Sequence, residues 1–164
     1  MTQKEVRRLF IYNPETGIIK WKTSGRGRKI KPENISDGVI DKKEGYIYLQ
    51  PGGKKYLAHR LIWLYEKGVM PKLQIDHIDG DRTNNRITNL REVTPSENQF
   101  NTKAKGYFFS KERNKYRALI TAYGKTTYLG DFDTELEANN AYLKGKIRIH
   151  GIEFVGRKLK EILP

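Results

Sequence analysis

The sequence predicts an α+β chain, and three observations predict it. Residues 106–132 read as three short strands joined by polar turns, with a capped helix after them. The first third alternates short apolar stretches with Pro/Gly turns, the punctuation of hairpins. Between these parts an apolar strand opens into a long polar loop that ends at a second capped helix.

Taken in order, the N-terminus reads as a helix fragment, and "NPETG" turns the chain between "LFIY" and "IIKWK". "SGRGRKIKPEN" is a basic, glycine-containing loop, and "GYIYLQPGGKKYLAH" reads as two strands about a Pro-Gly-Gly turn. In "HRLIWLYEKG", Leu61, Ile62, Leu64 and Tyr65 share one side at helical spacing, and Gly68 is the C-terminal stop. His59 stands at the start of this helix, where a structural hydrogen bond is expected. "LQIDH" is the central strand. Thr94, Pro95 and Glu97 form an N-cap, a first-turn proline and a capping box, which places Asn98 in the first turn of a helix.

The C-terminal meander runs "GYFFS", "YRALITA" and "TTYLGDF", and Thr134 with Glu137 caps a helix that ends at Gly151. Ala138, Ala141, Tyr142, Gly145 and Ile149 are its inward positions, mostly small, so that it lies close to the sheet. The period of two puts Tyr116, Ala118, Ile120 and Ala122 on the helix side of the middle strand. Arg117, Leu119 and Thr121 then share the open face with Thr126 and Tyr128.

Charge narrows the partner. The 164 residues carry a formal +13 and a pI near 9.8, which points to a polyanion, nucleic acid before a membrane surface. Residues 1–70 hold 15 basic and 7 acidic side chains and residues 102–164 hold 13 and 7, while residues 71–101 hold 4 and 5. Two basic flanks thus enclose a slightly acidic centre, as expected if the flanks hold phosphates and the centre holds a cation. No apolar run approaches the roughly 20 residues of a spanning helix, and the N-terminus lacks a secretory signal's apolar core, so a cytoplasmic protein is expected. With no cysteine, and with His59, His77 and His150 far apart, zinc is not expected.

The centre, Gln74 to Asn101, is rich in Asp, Asn and one His. It is not a calcium loop: with Gly80 at the sixth position of an EF-hand, Ile75 falls first and Arg86 twelfth, where a glutamate belongs. Local turns explain some of the Asn and Asp, but not the strand and capped helix around them. Neighbouring strand residues project to opposite sides, so Asp76 and His77 could flank a phosphate, one as metal ligand and the other as base. Those roles suit phosphodiester hydrolysis: a hard cation on carboxylate and amide oxygens, and an imidazole that takes a proton from water.

These residues, "HRLIW…QIDHIDGDRTNNRITNLREVT…N" from about Asn13 to Asn101, resemble the HNH endonucleases of the homing, phage-encoded kind. The resemblance implies a β-β-α-metal core preceded by a β-rich region, with His77 as general base and Asp76 and Asn98 as ligands of one divalent ion, Mg²⁺ or Mn²⁺. It also makes Asn89 the residue that braces the loop and orients the histidine. Many members of the wider superfamily have His where Asn98 stands.

"GYFFSKERNKYRALITAYGKTTYLGDFDTELEANNAY" is similar to the APETALA/ethylene-response-factor DNA-binding domain, whose three-stranded sheet enters the major groove with its helix behind. Phe108, Ser110, Leu119, Thr121, Thr126 and Tyr128 would then face DNA, several at positions where the plant proteins have arginine or tryptophan. Arg113, Lys115, Arg117 and Lys125 would contact phosphates, as would Arg26, Arg28 and Lys29 of the N-terminal basic loop. The resulting expectation is a nuclease domain over 1–101 with its core at 56–101, a DNA-binding domain over 102–164, and a monomeric endonuclease acting on double-stranded DNA. Neither a membrane nor a small-molecule substrate is expected. The competing expectation is a non-catalytic DNA-binding protein with a decayed nuclease scaffold.

Overall fold

The computed structural model describes residues 1–22, 38–101 and 104–151. The protein is α+β, built from several small sheets and short helices, and packs as two compact units, Met1–Glu92 and Val93–Pro164.

In the first unit, α1 (Gln3–Leu9) starts at a Thr2/Glu5 capping box and leads into the hairpin of β1 (Phe10–Asn13) and β2 (Ile18–Trp21). Strands β3 (Val39–Ile40), β4 (Ile47–Leu49) and β5 (Tyr56–Leu57) make a second small sheet, with a turn of 3₁₀ helix at Pro51–Gly53 where the Pro-Gly-Gly turn was expected. Helix α2 (Ala58–Lys67) ends at Gly68 in the left-handed conformation, φ 81°. Its Ala58, Leu61, Ile62 and Leu64 join Val6, Phe10, Ile19 and Leu49 in one apolar core, against which Tyr65 packs half-buried. The last carbonyls of α2 lack helical partners, and Gln3 and Arg7 of α1 donate to Tyr65 O at 2.9–3.1 Å.

Strand β6 (Gln74–His77) pairs with β7 (Leu90–Val93), so the loop between them is tied at both ends. Strand β7 has no sequence signature of its own. "LREV" is too short to show a period, and only pairing with β6 defines it.

In the second unit, α3 (Pro95–Asn98) carries the expected capping box of Thr94 and Glu97. Strands β8 (Tyr107–Ser110), β9 (Lys115–Ala122) and β10 (Lys125–Phe132) form an antiparallel sheet in the order β10-β9-β8. Helix α4 (Glu135–His150) starts at the Thr134/Glu137 capping box and packs on this sheet through Tyr142 and Leu143, with Ile120 and Leu129 opposite. Four of its positions differ from expectation: Ala141 is half-buried, and Leu143, Lys146 and His150 are buried. Gly106 has φ 71°, and a Cβ there would lie 2.0 Å from the ring of Tyr142, so only glycine lets β8 begin this close to the helix.

The compact units divide ahead of α3, whereas the sequence carried the first domain to residue 101. The reason is Phe100, which is buried with Val93 and Ala122, with Ile149 against them, and stacks on His150 at 3.9 Å.

Candidate functional site

Asp76 and His77 end β6, and both are buried, at 8% and 3% exposure. A buried carboxylate needs a partner. Arg91 of β7 supplies it: Nε and Nη2 both donate to Asp76 Oδ2, at 2.9 and 2.6 Å.

His77 Nε2 lies 2.9 Å from Asn85 Oδ1, and Asn85 Nδ2 donates to Thr83 O, which sets the amide with its oxygen toward the ring. An amide oxygen only accepts, so Nε2 carries the proton and Nδ1 the lone pair in the neutral ring. Asn85 is itself 2% exposed. Its carbonyl accepts from the Tyr12 hydroxyl at 3.1 Å, and that hydroxyl accepts from Ile87 N at 2.9 Å. The β1–β2 hairpin thus plugs into the loop that holds the histidine. Gly17, at φ 76° in the hairpin turn, lies so close that a Cβ would meet Arg86 N at 2.5 Å and Asn85 C at 2.8 Å.

Asn89, the residue expected to orient His77, closes the loop instead. Its Oδ1 accepts from Asp79 N at 3.0 Å, and its Nδ2 donates to Asp79 Oδ1 and Asn84 O at 2.9 and 2.8 Å. Asn84 Nδ2 donates to the other Asp79 oxygen at 2.6 Å. Burial opposes ionisation of Asp79, but these amide bonds outweigh it and lower its pKa. Asp79, Asn85 and Arg91 have no role in the sequence-based expectation. The signal was the buried acid on a strand, which requires a cation, and the Asn84–Asn85 doublet after a histidine that needs a fixed tautomer.

His59, 4% exposed, does not make the expected hydrogen bond: its Nδ1 is buried without a partner. The ring stands edge-on to His77, with centroids 5.2 Å apart and planes at 89°, and also meets Tyr46 at 5.2 Å. Burial first, then the His77 and Arg60 charges, push its pKa down to about 3, so it is neutral at ordinary pH. Arg82 lies over the other partner, 4.6 Å from the Tyr46 ring centroid.

Asn98 closes α3 in the second unit. The described residues hold no cluster of three or more His, Cys, Asp or Glu suited to a metal.

On the C-terminal sheet, register places Phe108, Arg117 and Asp131 in one row across the three strands. Ser110 pairs with Lys115, Leu119 with Tyr128, and Thr121 with Thr126, whose hydroxyls lie 2.8 Å apart. Phe108 and Tyr128 are exposed. The cations expected to meet phosphates are largely engaged by acids that the sequence reading passed over. Arg117 donates from Nε and Nη2 to the two Asp131 oxygens at 2.9 and 3.1 Å, Arg113 reaches Asp131 at 3.4 Å, and Lys115 pairs with Asp133 at 3.1 Å. The Arg117 bonds hold Asp131 ionised, with its pKa lowered to about 2. Lys125 pairs in register with Ala122, so it sits on the helix side of the sheet rather than the open face. Arg26, Arg28 and Lys29 lie outside the described residues.

Residues 56–100 match the family model of the HNH endonuclease. The chain is 38% identical over 101 residues to the "SPbeta prophage-derived putative HNH homing endonuclease YosQ" of Bacillus subtilis, covering 60% of this chain and 55% of that one. "Protein 3.8" of Escherichia phage T7 is 41% identical over 76 residues, 41% of this chain and 63% of that one. "Uncharacterized HNH endonuclease L560" of Acanthamoeba polyphaga mimivirus is 36% identical over 106 residues, 61% of this chain and 56% of that one. The chain therefore spans between 55% and 63% of the length of these relatives. A solved structure titled "DNA binding and cleavage by the HNH homing endonuclease I-HmuI" aligns at 27% identity with a TM-score of 0.41, over 73% of this chain and 70% of that one.

Proposed function

We propose that this protein is a metal-dependent DNA endonuclease of the HNH homing type, cutting a phosphodiester in double-stranded DNA. The observation that carries the reading is His77, its tautomer set by Asn85, beside Asp76 within the segment that matches the HNH endonuclease model. With Nε2–H donated to Asn85, His77 Nδ1 takes the proton of the attacking water, and Asn85 keeps the ring from turning as the imidazolium forms. Asn89 holds the loop closed around this geometry.

The residues fit a hard cation. Arg91 binds Oδ2 of Asp76, and a carboxylate is an oxygen donor of the kind Mg²⁺ or Mn²⁺ takes. Asp76, with Asn98 as the second ligand that the resemblance implies, would hold an ion that neutralises charge on the scissile phosphate and leaving oxygen.

Recognition falls to the basic flanks and the C-terminal sheet in its APETALA/ERF-like reading, with Thr121, Thr126, Tyr128, Phe108 and Ser110 toward the bases. A monomer with one such centre nicks one strand. It acts in the cytoplasm of a bacterial or phage-infected cell.

The test is supercoiled plasmid with Mg²⁺ or Mn²⁺. Nicked or linear product that is absent with EDTA and absent for His77→Ala supports the proposal. No product with any divalent ion would establish the non-catalytic DNA-binding alternative.

A further inference from the structure

Arg117 was expected to touch a phosphate, and its surroundings argue for another partner. It sits on the middle strand, β9, with Phe108 beside it on β8 and Asp131 on β10. A residue in mid-sheet lies over the floor of a groove, and phosphates line the rims. Its charge is offset in part by Asp131, whose two oxygens accept from Nε and Nη2 and which Arg113 also reaches at 3.4 Å. A cation tied to a carboxylate adds less to phosphate attraction than a free one, since that attraction scales with the charge a protein brings.

The pair nonetheless leaves directed donors. Asp131 takes the Nε proton and one Nη2 proton of the five a guanidinium carries. The far end keeps one N–H on Nη2 and two on Nη1, a fork whose spacing matches O6 and N7 of guanine. The fork is also prepositioned: Asp131 holds one edge, and the Tyr128 ring lies 5.5 Å from the guanidinium carbon. Side-chain entropy that a free arginine would lose on binding has already been lost in folding.

We infer that Arg117, buttressed by Asp131 and Tyr128, is a specificity-determining residue that reads one guanine in the major groove. This rests on the proposal that the open sheet face binds DNA. Asp131 is then a positioning residue, and its carboxylate also repels phosphates from the middle of the sheet.

The test uses the full chain with EDTA, so that no DNA is cut. Bound duplexes are enriched from a randomised library for wild type, Arg117→Ala, Arg117→Lys and Asp131→Asn, and affinities are then titrated against salt on the enriched duplex and a scrambled one. The wild-type site should contain a fixed guanine that becomes any base in both Arg117 variants, with the other positions kept. Affinity for the enriched duplex should fall roughly 5- to 150-fold, the range for losing a bidentate base contact, and binding to the scrambled duplex should hold within about twofold. Asp131→Asn should loosen the guanine preference and strengthen scrambled-duplex binding, because it removes an acid.

Arg117→Lys keeps the charge and the aliphatic stem, so it decides the matter even where Arg117→Ala fails to fold. Guanine preference and both affinities kept in Arg117→Lys, or equal losses on both duplexes in Arg117→Ala with about 0.9 removed from the slope of log affinity against log salt, would make Arg117 a phosphate contact and overturn the inference. If Thr121 and Tyr128 substitutions change the enriched sequence and Arg117 substitutions do not, this inference alone falls. If none of the three changes it, the sheet is not the reader, and the recognition half of the proposed function falls with it.

Discussion

Asn85, not Asn89, holds the ring of His77: Nε2 and Oδ1 are 2.9 Å apart, while both polar atoms of the Asn89 amide are spent on Asp79 and Asn84 O. The two asparagines divide a role that the family resemblance assigns to Asn89 alone. Asn85 sets a tautomer, and Asn89 closes a loop.

Their substitutions should therefore separate. Asn85→Ala should lower kcat for DNA cleavage roughly 100-fold, the scale of a catalytic group left misplaced, and, because it removes the amide bonded to the buried His77 ring, should also cost about 1–3 kcal/mol of stability, so the two variants separate in rate. Asn89→Ala leaves several groups of the Asp79 loop unsatisfied and should cost about 1–3 kcal/mol of stability. Single-turnover rates beside urea unfolding curves check both. A larger rate loss for Asn89→Ala with unchanged stability would reverse the assignment.

Arg91→Ala leaves the Asp76 carboxylate buried without its cation, a change that typically costs about 3–5 kcal/mol. A divalent ion at Asp76 supplies positive charge where the guanidinium was, so the variant's melting temperature should rise more on adding Mg²⁺ or Mn²⁺ than wild type's does. Thermal melts with and without metal are the measurement. Equal metal-induced shifts would argue against Asp76 as a ligand.

Much of this was legible in sequence because it is local. Capping boxes at Thr94/Glu97 and Thr134/Glu137, the Gly68 stop and the alternation along β9 each lie within a few residues and emerge in the structure. What the sequence did not show depends on partners distant along the chain or on another strand. Strand β7 exists by pairing with β6, and the burial of Asp76 becomes tolerable only through Arg91. Tyr12 reaches Asn85 across 73 positions. Asp131 was invisible as the partner of Arg117 because the irregularity between Tyr128 and Gly130 shifts the register that brings it to that face. Arg113 and Arg117 are expected from sequence to contact phosphates, and their pairing with Asp131 shows how incomplete a charge count is without register.

The hairpin turn should matter to catalysis although it carries no catalytic group. Gly17→Ala places a Cβ 2.5 Å from Arg86 N, against backbone that cannot swing aside, and holds a nonglycine residue at φ 76°. The strain of such a conformation alone is about 1–3 kcal/mol. Since the displaced backbone is that of Asn85 and Arg86, both unfolding free energy and kcat should fall. Tyr12→Phe, which removes the hydroxyl shared by Asn85 O and Ile87 N, should lower both in the same way. A Gly17→Ala protein with reduced stability and wild-type kcat would show that the hairpin does not support the His77 loop.

His59 should make the protein acid-labile, with a sign that follows from its position. Its pKa is pushed down to about 3 by burial, with His77 and Arg60 adding to it, against about 6.5 in the unfolded chain. Between those values the unfolded chain takes up a proton that the folded protein refuses, so stability is complete above about pH 6.5 and declines as pH falls toward 3. At about 1.4 kcal/mol per pKa unit, the loss from pH 7 to pH 5 is about 2 kcal/mol. His59→Phe removes the titrating group and the unpartnered Nδ1 while keeping an aromatic ring against Tyr46 and His77. It should be as stable as wild type at pH 7 and about 2 kcal/mol more stable at pH 5. His150, whose pKa is also lowered by burial, is present in both proteins and cancels in the comparison. Urea unfolding of the pair at the two pH values is the measurement, and parallel losses in both proteins would mean that His59 does not govern the acid limb.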